Sequence, residues 1–182
     1  MKIHNIKKIV LIALFVSIAV ILQTIESTFP YFFVPWAKLG LPNIVILFTL
    51  IYFGFTEGLL VAFIKSIIGG FLTGTMFNPS FIMSISGGLT STIAMWLALP
   101  LLNKKFTLVT VSVIGALVHI ITQFTIVYVI FFDMLSLGKS GLIFTSPWFM
   151  FFAIPAGFVT GMAANFVVEY IDRTNLLTKI NG

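Results

Sequence analysis

Apolar runs long enough to cross a bilayer follow one another along this chain, and ionisable side chains are too few to clothe a water-soluble surface. Only 8% of residues are charged and 59% are hydrophobic, whereas a soluble domain carries roughly 25% charge. Such a chain must use lipid as its solvent. In lipid the backbone has to satisfy its own hydrogen bonds, which points to membrane-spanning helices. At about 20 apolar residues per span, 182 residues hold several helices with short loops. The expected architecture is all-α, a single transmembrane domain over residues 1–182 built as a bundle of six helices.

Proline, glycine and polar residues mark the span boundaries. The first span is expected at about 9–25, ended by Gln23, Glu26 and Pro30. Its apolar run continues to Leu22 with no small-x-small cleavage site after it, so it reads as a retained helix rather than a signal peptide. Residues 26–40, rich in aromatics and proline, read as an interfacial loop or a short re-entrant segment, with 29–36 as a lid. Span 2 is expected at about 41–55 with Pro42 in its first turn, and span 3 at about 58–72 after a turn from Gly54 to Glu57. Asn78-Pro79 opens span 4 at about 80–99. Spans 5 and 6 follow at about 106–131 and 147–169, as the next apolar runs of spanning length. Spans 2 and 3 are short for a full crossing. With six spans, Lys2, Lys7, Lys8, Lys104, Lys105, Arg173 and Lys179 fall on one side and Lys38 and Lys139 on the other. The positive-inside rule then puts both termini in the cytoplasm.

Composition excludes several function classes. The chain has no cysteine, two histidines and five acidic residues, which leaves no thiolate metal site and little material for hydrolytic chemistry. No phosphate-binding glycine loop is present, and no metal-ligand spacing. No carboxylate cluster could hold magnesium against a diphosphate; Glu169 and Asp172 lie in a tail beside Arg173. The net charge of +5 has no basic, aromatic-interleaved cluster behind it, so nucleic acid is not an expected partner, and orientation in the membrane accounts for the charge. Neither a catalytic residue nor a cofactor is expected.

Lys65 lies within the apolar run Gly58–Gly70 and needs company. A charge near mid-bilayer costs at least about 2.5 kcal/mol and normally faces a bundle interior or wet cavity. The alternatives are snorkelling or an ion pair with Glu57, two turns away. His119 and Gln123 share a face of span 5 at i and i+4. Gln23 and Glu26 close the outer end of span 1, Lys38 and Asn43 flank the start of span 2, and Ser84 and Ser86 lie in the outer half of span 4. Polar residues thus gather in the outer half of the bundle, where a pocket for a small anionic molecule is expected. Helix-to-helix hydrogen bonding is the competing role for Asn43 and Gln123, and an interfacial ion pair for Glu26 with Lys38. Small residues form two stripes, Ala13 and Ser17 on span 1 and Ala153, Gly157 and Gly161 on span 6. Such stripes allow close helix approach, either within the bundle or against another membrane protein.

The segment Lys38-Leu39-Gly40-Leu41-Pro42-Asn43, preceded by Glu26, Pro30 and Pro35, resembles the KLGLAN segment of the Gx transporter family, often labelled heptaprenyl diphosphate synthase component I. Lys65 with Gly69-Gly70, Ser84-Ile85-Ser86-Gly87-Gly88, Gly115-Ala116-Leu117-Val118-His119 with Gln123, and Gly157 with Gly161 extend the resemblance over nearly the whole chain. Pro42 stands where alanine is common. The family is similar in size and topology to S components of energy-coupling-factor (ECF) transporters. That resemblance implies an outward-facing substrate pocket and docking, partly through small residues of helix 1, on a transmembrane coupling subunit driven by separate ATPases. The family label instead implies an accessory subunit of a prenyl diphosphate synthase. Relatives are also similar to a membrane protein of flavin-based extracellular electron transfer, which implies an assembly role.

Overall fold

The computed structural model describes residues 2–28, 40–102, 107–129 and 140–174. It is all-helical: α1 (Lys2–Thr28), α2 (Pro42–Phe53), α3 (Phe55–Leu72), α4 (Pro79–Ala98), α5 (Leu108–Tyr128) and α6 (Ser140–Thr174), with a 3-10 turn at Leu99–Leu101. Five of the six carry stretches long and apolar enough to cross a membrane, and α2 is shorter. The lid expected at 29–36, together with Lys38 and Lys139, lies outside the described residues.

Local chemistry explains the helix starts. Pro42 opens α2, where its missing N–H is no loss. The Asn78 side chain caps α4 by accepting from the Ser80 N–H at 3.2 Å, with Pro79 in the first turn. The turn between α2 and α3 is tighter than the four residues expected from Gly54 to Glu57. Gly54 alone joins the two helices, at φ 96° and ψ −175°, a region open essentially to glycine only. Its carbonyl accepts from the Gly58 N–H at 3.1 Å, so α3 starts one turn earlier than the composition indicated.

Contacts between helices set their directions. Glu57 at the start of α3 forms an ion pair with Lys8 near the start of α1, and Gly69 packs against Gln23 near the end of α1, so α1 and α3 run parallel. The Gly40 N–H donates to Glu26 Oε1 at 2.5 Å, so α2 starts beside the end of α1 and returns antiparallel to it. Tyr52 Oη donates to Asp172 Oδ1 at 2.5 Å, which places the end of α6 beside the end of α2. Helices α4 and α5 meet through Thr90 and Thr122, with hydroxyls 2.8 Å apart. Helices α5 and α6 meet through Ser112 and Thr160, also 2.8 Å apart. The long helices form an arc in the order α1, α3, α4, α5, α6, and α2 sits inside it against α1, α3, α4 and α6.

That position resolves the shortness of α2. Its 12 residues rise only about 18 Å, but every residue from Val45 to Leu50 is buried, so protein rather than lipid surrounds it. The apolar core fills the half of the bundle nearer Lys8, with Val16, Ile46, Leu50, Val61, Met95, Val111 and Ala164 in one cluster. The outward faces are apolar as well. Ile9, Leu14, Ile18 and Ile21 of α1 and Phe158, Met162 and Phe166 of α6 are all exposed. In water so much apolar surface would drive aggregation; in a bilayer it meets lipid. The chain is a multi-pass helical membrane protein.

Candidate ligand pocket

Polar side chains from α1 to α5 converge on one pocket in the half of the bundle away from the Lys8–Glu57 pair. Gln23 and Glu26 come from α1, Asn43 from the start of α2, Lys65 from α3, Ser84 from α4 and His119 from α5, and Ala153 and Ala156 of α6 complete the wall. The empty volume is about 520 Å³ with its open mouth included. On each helix the pocket residues sit on the far side of the core residues: Gln23 beyond Val16, Lys65 beyond Val61, His119 beyond Val111. The bundle therefore has an apolar half and a polar half.

Lys65 is buried, with 4% of its surface exposed, in the middle of α3. Removing one member of a buried, matched set of charges leaves the other uncompensated, at a cost of about 3–5 kcal/mol. The ion pair with Glu57 considered from sequence does not form, because the Glu57 carboxylate is held by Lys8 at the opposite end of the bundle. Glu26, also buried, lines the same pocket as Lys65 and ties the end of α1 to the start of α2 through Gly40. Gly40, at φ 78°, adopts a left-handed conformation that suits glycine. It turns the chain so that its N–H faces that carboxylate.

Glycines let the pocket side chains lie close to neighbouring helices. A Cβ at Gly87 would sit 3.0–3.2 Å from three atoms of the His119 ring, so the imidazole rests directly on the α4 backbone. A Cβ at Gly69 would collide with the Gln23 amide. Without these glycines the two side chains would be pushed off the shared level.

Five of the residues expected from sequence come together here: Glu26, Asn43, Lys65, Ser84 and His119. Gln123, one turn beyond His119, is not among the lining residues. Ser86 is not either; its hydroxyl donates to the Ile82 carbonyl at 2.5 Å. Lys38 lies outside the described residues. Gln23, placed from sequence beside Glu26 at the outer end of span 1 but not among the expected ligand contacts, is buried and lines the pocket. The signal was its i, i+3 spacing to Glu26, which places both on one helix face.

The two small-residue stripes have different surroundings. Gly157 and Gly161 are buried against α5, where a Cβ would come within 2.7 Å of Val113 Cα and 2.5 Å of Val109 Cα. Their close approach is made inside the bundle, and the surface expected to receive a partner is occupied by α5. Ala13 and Ser17 instead face outward on α1, with the Ser17 hydroxyl donating to the Ala13 carbonyl at 2.9 Å.

Among the described residues no group of three or more His, Cys, Asp or Glu could hold a metal ion. Compared with known proteins, the chain matches a family model, heptaprenyl diphosphate synthase component I, over residues 15–167, from the middle of α1 to near the end of α6. No curated protein and no solved structure matches it. This helical membrane protein thus belongs to the heptaprenyl diphosphate synthase component I family.

Proposed function

We propose that the chain is the substrate-binding membrane subunit of an ECF-type transporter for a small anionic molecule, and not an enzyme in its own right. The observation that carries this reading is the convergence of Lys65 with Gln23, Glu26, Asn43, Ser84 and His119 in a single pocket. Lys65 is the group suited to an anion, and Asn43 and His119 are suited to orient the molecule by hydrogen bonds. Low dielectric around the pocket strengthens each contact. The outward Ala13/Ser17 stripe of α1 offers a close-approach surface to a transmembrane coupling subunit, with ATPases bound to that subunit as the energy source. The excess of Lys and Arg that six spans put on one side, Lys2, Lys7, Lys8, Lys104, Lys105, Arg173 and Lys179, supports cytoplasmic termini in a bacterial cytoplasmic membrane. The pocket then opens outward.

Mass spectrometry of small molecules released from the gently purified protein tests this, with Lys65→Met purified alongside. The expected result is a defined small anion whose affinity falls on the order of a hundredfold in the variant, as for truncation of a buried charge partner. The same anion retained equally by both proteins rules out the Lys65 role.

The family's description favours a second reading, an accessory subunit of a prenyl diphosphate synthase. In that case the chain changes the activity of a soluble catalytic partner and holds a prenyl lipid in its apolar half. Wild type and Lys65→Met would then retain such a lipid equally.

A further inference from the structure

We propose that the ligand carries a hydroxyl or N–H donor beside its anionic group, and that Gln23 receives that donor. This inference rests on the reading of the pocket as a ligand site. Gln23 is 6% exposed, and its Oε1 is fully buried with no hydrogen-bond partner among the described residues. An unmet buried acceptor is costly, and folded proteins keep one where something else comes to meet it. Here Gln23 is one of the residues that line the pocket.

The amide is also held in place. Gly69 presses its backbone against it, and a Cβ there would lie 3.0 Å from Oε1 and closer still to Nε2. Gly69 is one helical turn beyond Lys65, so the Gln23 amide of α1 packs on the same face of α3 that carries Lys65. Glu26, one turn beyond Gln23 on α1, is the second acceptor on that wall.

The chemistry of these groups is asymmetric. A lysine ammonium only donates, whereas an ionised carboxylate and an amide oxygen only accept. A ligand with negative oxygens alone suits Lys65 but leaves Gln23 Oε1 unmet and faces the Glu26 carboxylate. A hydroxy-, amino- or amide-bearing organic anion also meets Gln23 Oε1. A bare diphosphate ester, carrying more negative charge and no donor, fits this lining worst.

The test uses the full chain in lipid nanodiscs, with the co-purifying small molecules identified and quantified by mass spectrometry. Gln23→Met fills similar space without the acceptor, and Gly69→Ala displaces the amide from the other side. Size-exclusion profiles select folded material. The expected result is an anion that bears a hydroxyl or N–H group, its affinity lowered about tenfold or more in Gln23→Met and in Gly69→Ala. An anion with no such donor, or one held equally by wild type and Gln23→Met, overturns this inference while leaving the anion-binding reading intact. Prenyl lipid retained by every variant, or no small molecule from any of them, overturns both.

Discussion

At the scale of single residues, small side chains decide where large or polar ones can sit. Gly161 faces the backbone of α5, with Val109 Cα 2.5 Å from where a Cβ would stand. Backbone cannot move aside as a flexible side chain can, so Gly161→Ala is expected to cost about 1–3 kcal/mol, the range for overpacking a filled site. A lowered unfolding midpoint in detergent, with ligand retention per folded molecule preserved, is the outcome that fits. An unchanged midpoint would show that α5 and α6 can separate freely. Gln23 is the complementary case, where substitution is expected to change ligand retention more than folding. Lys65 stood out in the sequence because a charge in an apolar run is conspicuous. Gln23 did not, because a polar residue near a span end is ordinary until the neighbouring Gly69 shows what presses on it.

At the scale of elements, the joint between α2 and α3 is the most constrained feature. One residue reverses the chain, and its φ and ψ lie where only glycine is comfortable. A Cβ at Gly54 would meet only Glu57 Oε2, at 3.7 Å, an ordinary contact, so the expected penalty of about 1–3 kcal/mol for Gly54→Ala is conformational rather than steric. Gly74, at φ 67° with nothing within 4 Å of its would-be Cβ, provides the control: Gly74→Asn is expected to be mild, because asparagine tolerates left-handed backbone. Thermal unfolding of both variants side by side checks this, and equal losses would refute it. The helix bounds show the same division. Pro42 and Asn78-Pro79 marked helix starts correctly because capping is local chemistry. The start of α3 was misplaced by one turn because a single-residue reversal has the same composition as a longer turn.

At the scale of the whole molecule, the bundle separates an apolar half near the Lys8–Glu57 pair from a polar half holding the pocket. The proposed orientation makes a direct prediction. The chain contains no cysteine, so each introduced thiol reports alone. On intact cells, a membrane-impermeant reagent is expected to label Thr28→Cys and Phe77→Cys and to spare Thr56→Cys and Thr107→Cys. The reverse pattern would turn the pocket toward the cytoplasm. The sequence by itself determined the solvent, the helical class, most helix boundaries and the need of Lys65 for a polar neighbourhood. These follow from hydropathy, capping and desolvation, which act over a few residues. Only the tertiary structure decided which polar residues meet. Gln123 shares a helix face with His119 but lies outside the pocket, Glu57 is claimed by Lys8, Gly157 and Gly161 turn inward, and Gln23 joins the pocket wall. Spacing along a helix tells which residues share a face. The rotation of that face and its neighbours are set by the packing of all six helices at once, which no local pattern records.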